Sequence, residues 1–197
     1  GYPIASFYGY VTDGIFQTWE EVNSHAFQNS QTQPGDFRFQ DLDGDGKITA
    51  NDQTYIGSPH PDFTYGFSGT LSYKGFDVQF SFQGVEGGHI MAAWKHFTHD
   101  PLAADRNMHT DVLDAWTPEN PSNEYPRVPK IDYNTNMRLS DYYLHDASYI
   151  RLKTVQLGYS FPATLAQRIG LQSLRVYASG ENMLTFTDYI GNDPEVG

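Results

Sequence analysis

The chain of 197 residues has no cysteine. A disulfide framework, a thiolate metal site and a cysteine nucleophile are therefore excluded, although no compartment is fixed by this. Basic residues are scarce: twelve Lys and Arg stand against twenty-four Asp and Glu, for a net charge of -12. Nucleic-acid phosphates require a basic face, so this balance argues against a nucleic-acid partner. No run approaches the roughly eighteen apolar residues of a membrane helix. That leaves β-barrels open, because their alternating strands pass hydropathy windows unnoticed. Gly-x-Ser-x-Gly, a phosphate-cradling glycine loop and His-Glu-x-x-His are all missing, and no enzyme is expected. The chain opens on Gly1 with neither a methionine nor a charged and apolar leader ahead of it, and it is read as a piece of something longer.

What is abundant is aromatic: fourteen Tyr and thirteen Phe bring the aromatic share to 15%. The most distinctive stretch is acidic. Asp41, Asp43 and Asp45 alternate, Gly46 occupies the bend at position six, and Asp52 closes the run at position twelve. With the carbonyl of Lys47 at position seven, this is the spacing of a calcium loop, and Asp41, Asp43, Asp45, Lys47 and Asp52 are the expected ligands of a structural Ca2+. Asp52 stands where a longer glutamate usually binds through both oxygens, which points to weaker or water-assisted binding. The plainer alternative is an acidic turn without an ion. Thr49 to Asp52 also reads as a capping box, as does Thr18 with Glu21.

Strands are read from alternation. In 64–74 Tyr65, Phe67, Leu71 and Tyr73 oppose Thr64, Ser68, Thr70, Ser72 and Lys74. Beyond a tight turn at Lys74-Gly75, Phe76, Val78, Phe80 and Phe82 oppose Asp77, Gln79, Ser81 and Gln83. From Tyr149, Val155, Leu157, Tyr159 and Phe161 oppose Thr154, Gln156, Gly158 and Ser160, and after a helical turn at 163–169 a last strand carries Leu174, Val176, Ala178 and Leu184. Phe37 to Phe39 is a further short strand, and Asp13-Gly14 is read as a turn. Connections alternate long, tight, long, short, as in transmembrane barrels with external loops and short periplasmic turns. The fold class is all-β: a partial antiparallel transmembrane β-barrel of about four wall strands, incomplete as a fragment. Residues 1–62 form an extracellular loop region holding the calcium-type loop 41–52; 64–84 is a hairpin; 85–147 is a long extracellular loop; 148–186 is two strands joined on the periplasmic side.

Several segments together carry a family resemblance: Ser6 to Tyr10 with Asp13 to Phe16, Pro34-Gly35-Asp36 with Asp41 to Asp52, Tyr149 to Lys153 with Gln156 to Tyr159, Leu174 to Tyr177 with Glu181 to Thr187, and Asp193-Pro194-Glu195. In these the chain resembles the C-terminal part of the SusC/RagA family of TonB-linked outer-membrane transporters of Bacteroidota. The resemblance implies a barrel of twenty-two strands with an N-terminal plug and outer-membrane lipid around the wall. It further implies a SusD-like lipoprotein partner, an oligosaccharide or peptide substrate, and drive from the TonB complex through an N-terminal part outside this chain.

Other candidates come from the long loop. Trp94, Trp116, Tyr125 and Tyr133 are candidates for stacking on a sugar, or else for packing the loop. His96 and His99, three apart, invite a transition-metal reading, but Asp100-Pro101 is expected to end any helix there and no third ligand is apparent in sequence. Two hypotheses compete: part of a nutrient importer, or a soluble, calcium-stabilised extracellular module that binds carbohydrate or a partner. A dockerin proper needs a second acidic loop and flanking helices, and neither is present.

Overall fold

In a computed structural model, residues 1–99 and 107–195 are described. The chain divides into two compact units, Gly1–Pro59 with His89–His145 and His60–Gly88 with Asp146–Gly197. The first opens with strands β1 (Phe7–Gly9) and β2 (Thr12–Ile15), helix α1 (Trp19–Ser24), and strands β3 (Phe37–Phe39) and β4 (Thr54–Gly57). The second unit then supplies β5 (Phe63–Tyr73) and β6 (Phe76–Glu86). The chain returns for β7 (His89–Met91), α2 (Lys95–Thr98) and β8 (Leu144–Asp146), and ends with β9 (Tyr149–Ser160), α3 (Ala163–Arg168) and β10 (Arg175–Thr187).

The second unit is one antiparallel sheet in the order β5, β6, β9, β10. Lys74 and Gly75 both have positive φ, +48° and +89°, the two-residue turn whose twist suits a hairpin. Registers align the alternating residues across all four strands. Tyr73, Phe76, Tyr159 and Val176 form one apolar row, Leu71, Val78, Leu157 and Ala178 the next, and Phe67, Phe82, Leu152 and Leu184 another. Between them run Thr70, Gln79, Gln156 and Ser179, then Ser68, Ser81, Thr154 and Glu181. The sheet therefore has one apolar face and one polar face. The apolar face is uncovered within the described residues, with Leu71 67% and Leu157 54% exposed.

Pairing slips at one level of the sheet. Lys153 is an extra residue of β9 against β6, and Asn182 and Met183 lie opposite that single residue in β10. A β-bulge of this kind shifts the parity of the strand that carries it. Apolar positions in β9 accordingly change from odd (Val155, Leu157, Tyr159) to even (Leu152, Ile150), and the face stays apolar throughout.

After β10 the chain folds back on the polar face. Arg151 donates from Nη2 to Asp193 Oδ1 and from Nη1 to Glu195 Oε2, each at 2.6 Å, and from Nε to Thr185 Oγ1 at 2.8 Å. Lys153 Nζ reaches both carboxylate oxygens of Glu195 at 2.7 Å.

In the first unit β1 pairs with β4, β2 with β3, and β7 with β8. Ile15, Phe37, Phe39 and Ile48 are its buried cluster, with Tyr10, Ala26, Trp116 and Tyr142 against it. Gly14 has φ of +87° within β2, where pairing to β3 is irregular. The turn expected at Asp13-Gly14 is therefore a kink inside a strand. Thr18 caps α1 by accepting Glu21 N–H, but the Glu21 carboxylate takes the Gln17 N–H at 2.7 Å, one residue earlier than a capping box places it. Met91 closes β7, and the helix around His96 is only the single turn α2.

Candidate functional site

The acidic loop is built on β3, whose Phe37 and Phe39 are buried and hand the chain to Asp41 at the surface. Alternating aspartates bend it by accepting their own downstream N–H groups. Asp41 takes Gly44 and Gly46, both at 2.8 Å, Asp43 takes Asp45 at 3.1 Å, and Asp45 takes Lys47 at 2.8 Å. Gly44 and Gly46 have φ of +76° and +82°, so this coil suits glycine at both places. Ile48 is buried beneath the loop, which is tied back to Phe27 through the Phe27 N–H to Gly46 O and the Ile48 N–H to Phe27 O.

Asp52 is the anchor. Fully buried, it accepts from Leu42 (2.8 Å) and Asp43 (3.4 Å) on Oδ1 and from Thr49 (2.7 Å) on Oδ2, completing the capping box of the turn Ala50–Asp52. Burial raises its pKa, but the N–H groups of Thr49, Leu42 and Asp43 outweigh burial and hold the carboxyl below the usual range. Oxygens of Asp41, Asp43 and Asp52 all lie within 4.8 Å of one another. Three carboxylates held this close by backbone donors fit a hard divalent cation. Asp45 lies outside that convergent set.

A second polar assembly went unnoticed in the sequence. Asp36, fully buried, accepts from Arg127 Nε at 2.6 Å and Asn136 Nδ2 at 3.0 Å. Asn136 Oδ1 accepts the Phe37 N–H, and Asn134 links Gln28, Thr32 and the Phe37 carbonyl. Burial raises the Asp36 pKa, while Asn136 and Arg127 pull it back. This network pins the long loop to the strand that feeds the acidic loop. Pro34-Gly35-Asp36 was the only sequence signal, and its partners lie about a hundred residues away.

The four loop aromatics do not form one platform. Trp116 packs on the buried cluster and donates Nε1–H to Gln17 Oε1 at 2.8 Å. Trp94 packs against His99 and His109, and Tyr125 stacks on His99. Tyr133 is 46% exposed. His96 and His99 are not brought together either: His96 is exposed and edge-on to Tyr143, whereas His99 is buried. Asp100 and Pro101 lie outside the described residues.

No family model matches the chain. It is 40% identical over 196 residues to TonB-dependent receptor P3 of Formosa agariphila, covering 99% of this chain and 19% of that protein. It is 30% identical over 200 residues to TonB-dependent receptor SusC of Bacteroides thetaiotaomicron, covering all of this chain and 17% of that one. Among solved structures, the RagAB peptide transporter superposes with a TM-score of 0.75 at 28% identity, over all of this chain and 21% of that one. The chain thus spans about a fifth of the length of the relatives it matches. These three are receptors or transporters and not enzymes.

Proposed function

This chain is a SusC/RagA-like stretch of the TonB-dependent receptor family, and from that premise we propose that it supplies four neighbouring wall strands and two external loop regions of an outer-membrane importer. The observation that carries this reading is the sheet β5, β6, β9, β10, whose registers put all apolar rows on one face and all polar rows on the other. A wall between lipid and an aqueous lumen requires that division. Both long excursions leave from the sheet end where Phe63 pairs with Glu86 and Val85 with Tyr149, and the opposite end carries the tight turn and the short connection through α3. Assigned to a barrel, the tight-turn end is periplasmic and the other end external.

The imported substrate is a glycan or peptide, delivered with a SusD-like surface lipoprotein, and TonB drives the import through parts outside this chain. Support comes from SusC and the RagAB peptide transporter as relatives. In the external loop, a structural calcium ion sits on Asp41, Asp43 and Asp52, with Asp45 and the Lys47 carbonyl completing the pattern; the convergence of the first three supports it. Its role is to stiffen the loop.

Site-specific cysteine labelling tests the wall, with any cysteine elsewhere in the receptor first replaced by serine, since this stretch itself has none. In the full receptor in native membranes, Val78→Cys and Leu157→Cys are expected to react with a lipid-soluble maleimide and not with a charged one. Gln79→Cys and Gln156→Cys should show the reverse. Equal labelling of all four by the charged reagent overturns the wall assignment.

A further inference from the structure

Helix α2 runs directly into His99, which is 5% exposed. Its Nδ1 lies 2.9 Å from Thr98 Oγ1, and that hydroxyl gives its own hydrogen to the Trp94 carbonyl at 3.1 Å. With the hydroxyl hydrogen committed to Trp94, Thr98 accepts from His99, which places the ring proton on Nδ1 and leaves Nε2 a bare lone pair. Among the described residues that buried Nε2 has no hydrogen-bond partner, and it faces Asp111 Oδ2 at 3.6 Å. Two acceptors facing each other across a buried gap are unfavourable unless something positive sits between them.

A third group closes the cluster. His109 donates its backbone N–H to the Thr98 carbonyl at 2.9 Å, and its Nδ1 lies 2.9 Å from Asp111 Oδ1. Tyr125 donates to Asp111 Oδ2 at 3.1 Å and lays its ring parallel to His99, while Trp94 packs on both histidines. Ligand atoms of His99, His109 and Asp111 all lie within 4.8 Å of one another. On a tetrahedron with bonds of about 2.0–2.1 Å, ligand atoms are about 3.3 Å apart. His99 approaches Asp111 Oδ2 at 3.6 Å and His109 approaches Oδ1 at 2.9 Å, so the two rings face different oxygens of one carboxylate and a small rotation of that carboxylate serves both.

We propose that His99, His109 and Asp111 bind a divalent transition metal of the zinc type, with a fourth position open to water. Two imidazole nitrogens and one carboxylate select such an ion over calcium, which wants oxygens. Outer contacts fit the role: Thr98 fixes the tautomer of His99, and Tyr125 orients the carboxylate. A proton is the other positive occupant. Only a metal gives a visible band on Co2+ substitution, so Co2+ titration separates the two. Lys95 opposes a cation, and the charges of Asp111 and Glu124 counter it. The ion pins the turn Thr110–Asp114 onto α2.

The test is titration of the whole detergent-purified receptor with Co2+ in saturating calcium, which fills oxygen sites, followed by competition with Zn2+. One equivalent of Co2+ should give the intense visible absorption of a four-coordinate ion, which Zn2+ removes. His109→Ala changes a half-exposed side chain and Asp111→Asn conserves shape; each should weaken Co2+ binding at least tenfold, and Thr98→Val about tenfold through tautomer control, as an outer-contact loss does. His96→Ala should leave the titration unchanged. Heat-modifiable migration confirms that every variant is folded. Absence of the visible band in the wild type overturns the proposal, as does a band that His109→Ala and Asp111→Asn leave intact.

Discussion

Asp52 accepts the backbone N–H of Leu42 at 2.8 Å, so the last acid of the loop closes on the loop's second residue. A side chain ten positions downstream holds the first bend, and the same carboxylate caps the turn in which it sits. The loop is consequently folded by its own acids, and an ion adds to a shape that already exists.

Asp52→Ala strands the N–H groups of Leu42, Asp43 and Thr49. Loss of a cap together with buried unsatisfied donors costs about 2–3 kcal/mol. Hydrogen exchange of loop amides is the measure, and unchanged protection in the variant removes Asp52 from this role. The pH dependence follows from its depressed pKa. The folded carboxyl releases its proton more readily than the unfolded one, so the contribution is fully present above the ordinary carboxylate range, near 3.9, and disappears as pH falls through the lower folded value.

Calcium should raise the protection of the same amides and do so less in Asp43→Ala. Binding measured by calorimetry should fall sharply in that variant. Asp45, outside the convergent trio, should matter less than Asp43. Equal affinities in the wild type and Asp43→Ala rule out the calcium site.

Arg151 lies 5% exposed between Asp193 and Glu195. Replacing Glu195 with Gln leaves Asp193 to hold the guanidinium, whereas Asp193→Ala combined with Glu195→Ala leaves a buried charge unpaired, at about 3 kcal/mol. We expect the double variant to lower the temperature of heat-modifiable migration clearly and Glu195→Gln to lower it slightly. An equal effect of the two contradicts a shared clamp.

Asp36→Asn keeps the size of a fully buried side chain but removes the charge facing Arg127. Breaking one side of a buried pair costs about 3 kcal/mol or more. Limited proteolysis should then cut within residues 107–138 faster than in the wild type, while the strands of the sheet stay protected. Uniform resistance would mean that the network does not hold the loop.

The sheet was legible in sequence because alternation is local, and each strand announces its faces without its neighbours. The turn at Lys74-Gly75 was legible for the same reason. Asp13-Gly14 misled, since a glycine with positive φ serves a kink as well as a turn, and only the pairing of β2 with β3 separates them. In the acidic loop, spacing found four acids, but spacing carries no direction, so it did not distinguish Asp45 from the convergent three. The Asp36 network and the approach of His109 to His99 were invisible because residues far apart in sequence meet only after the loop closes. His96 and His99 looked paired by helical spacing, yet α2 is a single turn that buries one and exposes the other.

Across the level of Lys153, the residues inserted between matching rows number none in β6, one in β9 and two in β10, and the strands lengthen from 11 to 12 to 13 residues. Like lanes on the bend of a running track, successive strands cover more path over the same stretch, by about 3.3 Å per added residue. A flat sheet has no place for that excess, so curvature is written into residue count as well as into side chains. Insertions and deletions here are consequently coupled between strands: removing Lys153 alone keeps Arg151 on the polar face opposite Gln83 but makes β9 no longer than β6 over that stretch, and Asn182 and Met183 are then left opposite no residue of β9.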